Sequence, residues 1–73
     1  MHETVSSTGK VKWFNEVQGF GIIVDDRSGA EVFVHHSAIS EPGSRSLEEG
    51  QQVRFEAFEG ARGFQAAVVR NLL

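Results

Sequence analysis

Cysteine is absent from the 73 residues, and proline and tryptophan occur once each. Without cysteine no disulfide framework can support a small fold, and a reducing compartment fits that lack. Long apolar runs are missing too. The longest are a few residues, far short of the roughly 20 that a helix needs to span a bilayer. No segment sustains a helical period. Basic charge is scarce, with seven Lys and Arg against ten Asp and Glu and a net charge of −3. That argues against a ligand held by bulk electrostatics, since a strongly basic domain is the usual footprint of such a nucleic-acid binder. Any nucleic-acid affinity must draw largely on something else. The opening "MHETVSST" is polar and acidic and lacks the basic and apolar regions of a signal peptide. It reads as a flexible lead-in over residues 1–8, followed by one domain over 9–73 in a cytoplasmic protein.

What the chain does have is alternation. Glycines and short polar clusters separate segments rich in Val, Ile and Phe, which read as strands. The expected strands are Gly9 to Asn15, Gly19 to Asp25, Glu31 to His35, Gln52 to Glu59 and Phe64 to Asn71. "DDRSG" (Asp25 to Gly29) makes a hairpin turn between the second and third strands, and "EGARG" a turn before the fifth. "HSAIS" suits a single helical turn. "SEPGSRSLEEG", with the one proline, reads as a long loop from Ser40 to Gly50. An open five-stranded sheet would leave two edges exposed to aggregation. The expected fold is therefore all-β, a five-stranded antiparallel OB-fold barrel, an architecture that binds oligonucleotides and oligosaccharides.

A domain of this size buries only about 60 % of the surface its unfolded chain exposes, so two apolar faces cannot both be core. Val32 and Val34 are compact and branched and suit a barrel interior, as do Val53 with Phe55 and Ala67 with Val69. The opposite face of the middle strands then carries Phe20, Ile22, Phe33 and His35. Phe33 taken alone is more often core than platform, and His35 alone is usually a surface histidine. With Val32 and Val34 turned inward, an exposed ring surface becomes the better reading, and bases can stack on such a surface. Gly19 and Gly21, which flank Phe20, serve either as turn or bulge residues or as points of close ligand approach. Lys10 and Lys12 are either plain solvent-facing charges or phosphate contacts. In "KVKWFN", strict alternation puts Trp13 on the core side with Val11 and leaves Phe14 exposed. A bulge would reverse the pair, so periodicity leaves the choice open.

The motifs "GKVKWFN", "GFG", "VFVH", "SAI", "LEEGQ" and "RGFQAA" resemble those of the cold-shock domain, in order and spacing, over about Gly9 to Leu72. The resemblance implies a five-stranded OB barrel that binds single-stranded DNA and RNA without a cofactor or metal. Carried over by position, it makes Trp13, Phe20, Phe33 and His35 stacking residues and turns Trp13 outward. It puts Lys12 and Arg62 beside the backbone and lets Asn15 and Gln65 bond to base edges. Ile22, His36 and Phe64 join the expected site as departures. The family usually has aromatics at the first two of these positions and a proline at the third. It also usually has a basic residue where Gln18 stands and often has Phe where Ser44 stands.

Two functions compete. One is a single-stranded nucleic-acid binder that acts as an ATP-independent RNA chaperone. The other is an OB-fold protein-interaction module with a weakened nucleic-acid face, which Ile22, His36, Ser44 and the acidic balance favour. An enzyme is the poorest fit. Ser37 lies near His35 and His36, but no acid is placed to orient a histidine, and two adjacent histidines make a poor metal site. No catalytic residue, small-molecule substrate or membrane partner is expected. A monomer is the expected state, with strand exchange through the long loop as the alternative.

Overall fold

Buried and exposed positions alternate along most of the five strands, and a bulge interrupts that alternation in the β1–β2 and β4–β5 ladders. In the computed structural model, which describes residues 4–40, 46–61 and 63–72, the elements are β1 (Val5–Asn15), β2 (Phe20–Asp25), β3 (Glu31–His35), a 3-10 helix (His36–Ala38), β4 (Gln52–Gly60) and β5 (Gly63–Asn71). Around the barrel the order is β1-β2-β3-β5-β4, returning to β1. The β1–β2, β1–β4, β2–β3 and β4–β5 seams are antiparallel, and the short β3–β5 seam is parallel.

Closure depends on the length of β1. The sequence places its start at Gly9, but the strand begins at Val5. Its first half pairs with β4 (Val5↔Ala57 through Lys10↔Gln52) and its second half with β2 (Gly9↔Asp25 through Asn15↔Phe20). Residues 5–8 are thus part of the sheet. "VSST" lacks the apolar alternation by which a strand is recognised, and only its partner on β4 makes it one.

The core is a single cluster. Val11, Ile23, Val32, Val34, Val53, Phe55 and Val69 are each at most 3 % exposed, and Ile39 and Leu47 plug the cluster from outside the strands. Full burial of one such side chain is worth about 1.5–3 kcal/mol, so this cluster is the principal source of stability. On β5 the expected inward pair was Ala67 with Val69. The residue inside with Val69 is instead Ala66, and Ala67 is exposed. The register moves from Glu56↔Val68 to Ala57↔Ala66, so Ala67 is an extra residue in the β4–β5 ladder, and a bulge there resets the parity.

The hairpin turn closing β2 is held by Asp25. Its carboxylate accepts from the Ser28 amide at 3.1 Å, from Ser28 Oγ at 2.7 Å and from Ser7 Oγ on β1. These bonds, led by that from Ser7, lower its pKa from 3.8 to about 2. Asp26 adds bonds from Thr8 Oγ1 and Gln52 Nε2, so the turn is tied to β1 and β4. The long loop falls partly outside the described residues. Within it, Leu47 is buried and the Gly50 amide donates to the Val11 carbonyl at 2.7 Å.

Candidate nucleic-acid interface

The open question of Trp13 and Phe14 is decided by a bulge. On β2 the partner of Val11 is Ile23 and that of Trp13 is Ile22, so Lys12 is the extra residue on β1. The slip turns Trp13 outward, 39 % exposed, and packs Phe14 against the core. Gly21 makes this close approach feasible, because a Cβ there would lie 2.3 Å from the Trp13 carbonyl oxygen. The close neighbour of Gly21 is therefore the backbone of β1.

Trp13 begins a continuous row of rings. Its centroid lies 5.8 Å from that of Phe20 in an edge-to-face arrangement, and Phe20 stacks on Phe33, also at 5.8 Å, with planes 29° apart. Phe33 is exposed while its neighbours Val32 and Val34 are buried, the division that the alternation of β3 requires. Ile22 pairs with Trp13 on one side and Phe33 on the other, so it occupies the middle of the platform with an aliphatic side chain. Phe64 and Gln65 on β5 border the far side. With Ile22, Phe33, Ala61 and Gly63 they line an open hollow of about 500 Å³.

His35 is the Cα partner of Phe20. Its Nδ1 accepts from the Ser37 amide at 3.2 Å and lies 2.9 Å from Ser37 Oγ, which caps the 3-10 helix and fixes the ring. Ser37 is thus an orienting partner of His35. The His36 ring leans on that of His35, with centroids 4.3 Å apart and planes tilted by 35°. It also covers Gly19, whose φ of 78° suits glycine and where a Cβ would meet His36 Cδ2 at 2.5 Å. Among the described residues, no group of three His, Cys, Asp or Glu side chains stands close enough to hold a metal.

The polar candidates are more constrained than their spacing indicates. Lys12 Nζ is 2.6 Å from Glu31 Oε2, so the cation nearest Trp13 in sequence already has a carboxylate partner. Asn15 Oδ1 accepts from the Gln18 amide at 3.0 Å and shapes the β1–β2 turn, so what it can offer a base edge is its amide nitrogen. Arg62, expected beside the phosphates, lies outside the described residues, as does Ser44. Glu31 is the residue that reading by motif overlooks. It stands 19 positions from Lys12, and only the pairing of β1, β2 and β3 brings the two together.

A small closed β-barrel with a row of rings on the outer face of β1, β2 and β3 defines a nucleic-acid-binding class of protein. Comparison with known proteins gives the family. The model described as the 'Cold-shock' DNA-binding domain matches residues 7–72. The cold shock-like protein CspA of Stigmatella aurantiaca (strain DW4/3-1) is 53% identical over 66 residues, covering 90% of this chain and 97% of the relative. The cold shock-like protein CspC of Bacillus cereus is 58% identical over 64 residues, covering 88% and 97%. CspA of Vibrio cholerae is 51% identical over 65 residues, covering 89% and 93%. The chain belongs to the cold-shock domain family, and it is a nucleic-acid-binding protein.

Proposed function

We propose that this protein binds single-stranded RNA and DNA on the Trp13–Phe20–Phe33 face and acts as an ATP-independent RNA chaperone in the cytoplasm. The observation that carries this reading is the row of outward rings at 5.8 Å spacing above a core that is complete without them. Each ring can take the face of an unpaired base, whatever the base, and a paired helix hides those faces. His35, His36 and Phe64 extend the stacking surface. Asn15 and Gln65 offer hydrogen bonds, and Lys12 and Arg62 serve phosphates. Ile22 holds apolar contact at the centre. Because the protein prefers the unpaired state, mass action alone melts weak RNA structure, and no ATP is required. Through such melting it affects transcription or translation, and it does so as a monomer.

A second reading, a protein-interaction module with a weakened nucleic-acid face, is favoured by the Lys12–Glu31 ion pair and the aliphatic Ile22. Titration with oligothymidine separates the two, followed by the emission of Trp13, the one tryptophan. Trp13→Ala and Phe33→Ala should each weaken binding by about 1–3 kcal/mol with folding retained, the former read by anisotropy of labelled DNA. Matching duplex should bind far more weakly, and a strained RNA hairpin should open without ATP. A folded protein that ignores oligothymidine supports the interaction module instead.

A further inference from the structure

Among the described residues, the cation nearest Trp13 in sequence is already paired, and most of the other cations stand away from the rings. Of the seven Lys and Arg, Arg45 and Arg62 lie outside the described residues, which leaves Lys10, Lys12, Arg27, Arg54 and Arg70. Lys12 is paired with Glu31. The three arginines stand together on the opposite flank, over β1, β4 and β5. Arg54 and Arg70 are direct cross-strand partners, an arrangement of like charges that destabilises a sheet when nothing lies between them. Among the described residues, no carboxylate lies within 4.0 Å of Arg27, Arg54 or Arg70. Arg27 donates to the Ser6 carbonyl at 3.1 Å, which holds it beside the same strands.

These side chains line two adjoining open hollows. One, of about 500 Å³, has Arg27, Arg54, Ser6, Thr8 and Glu56 on its walls. The other, of about 310 Å³, has Arg54, Arg70, Ser6 and Glu56. Arg54, Ser6 and Glu56 belong to both, so the arginines form a row across the sheet with one acid among them. Exposed Lys10, between Thr8 and Lys12 on β1, continues it toward Trp13. Glu56, Asp25 and Asp26 are the acids nearby; Asp25 feels the charge of Arg27 but is engaged by Ser7 and Ser28, and Asp26 is engaged by Thr8 and Gln52.

Resting on the ring-face reading above, we infer that the row Lys10–Arg27–Arg54–Arg70 is a second site, which takes the phosphodiester backbone of a single strand that runs past the rings and around the barrel. Guanidinium forks and a serine hydroxyl are donors suited to phosphate oxygens. Successive open hollows fit a repeating polyanion better than one small ion. The barrel is about 20 Å across, so a strand leaving Trp13 along β1 meets the row before it has passed around the protein.

The test compares oligothymidine of about 6 nucleotides, enough for the rings, with one of about 20, within and beyond the usual span of one OB fold. Each phosphate neutralised adds about 0.7 to the magnitude of the log–log salt slope. The long strand should show a slope steeper by about 1.5–2 than the short one, on this rule. In Arg54→Gln/Arg70→Gln that increment should fall by about 1.4, while short-strand affinity stays within about twofold of wild type. Arg54→Lys/Arg70→Lys should keep most of the increment, and unliganded Trp13 emission reports that each variant is folded. Equal slopes for both lengths in wild type, or a glutamine variant that keeps the full increment, overturn the inference. Competition by a poly-glutamate peptide as effective as that by the long strand also overturns it, by assigning the row to acidic protein. If the short strand fails to bind but the long one binds with an arginine-dependent slope, the arginine row stands and the ring platform falls.

Discussion

Removing Glu31 should make the protein a tighter binder. Lys12 Nζ and Glu31 Oε2 are 2.6 Å apart, with side chains 54% and 55% exposed. An ion pair so exposed is worth about 0.2–1 kcal/mol. Lys12 must give up that interaction, or share it, to meet a phosphate. In Glu31→Gln the competition disappears and the lysine is available at no cost. Converted at RT of about 0.6 kcal/mol, the gain is about 1.4- to 5-fold in affinity at low salt. The salt slope should also steepen by up to about 0.7, one more phosphate neutralised. The assay is oligothymidine titration followed by Trp13 emission at several salt concentrations. A double-mutant cycle isolates the pair, because Glu31→Gln should add little once Lys12→Gln is in place. Unchanged affinity and slope in Glu31→Gln would refute the reasoning. An equal gain in the Lys12→Gln background would show that the acid acts through overall charge, without Lys12.

Ile22→Phe should tighten oligothymidine binding, because it places a ring between Trp13 and Phe33, where the platform has an aliphatic residue; equal titration curves would show that the centre of the face makes no stacking contact. Asp25 should make the fold sensitive to acid. Its folded pKa, about 2, lies below the reference 3.8, so its contribution is present above pH 3.8 and is lost as pH falls toward 2. With solvent screening that contribution is about 1 kcal/mol, and thermal melts of wild type and Asp25→Asn should converge over this interval. Gly21→Ala should destabilise by roughly 1–3 kcal/mol, since its Cβ would press on the Trp13 carbonyl oxygen. A denaturant melt that matches wild type would mean that the β1 bulge relaxes without cost.

Much of this protein is written in local pattern. Val32 and Val34 alternate with Phe33 and His35, and a period of two assigns each pair to one face wherever a strand is regular. The barrel, the hairpin at "DDRSG" and the ring-bearing side of β2 and β3 follow from such patterns, and the motifs from "GKVKWFN" to "RGFQAA" identify the family. Parity could be read only between interruptions. The bulges at Lys12 and Ala67 each shift the alternation by one residue, which turns Trp13 outward and puts Ala66 inside in place of Ala67. A bulge depends on how two strands meet, and here on the space left by Gly21, so one strand's composition does not announce it. The same holds for "VSST", a strand because β4 lies beside it, and for the pairs Lys12–Glu31 and Arg54–Arg70. Their members are 19 and 16 positions apart in the chain, and only the pairing of β1, β2 and β3, and of β4 with β5, decides that one pair cancels its charge and the other concentrates it.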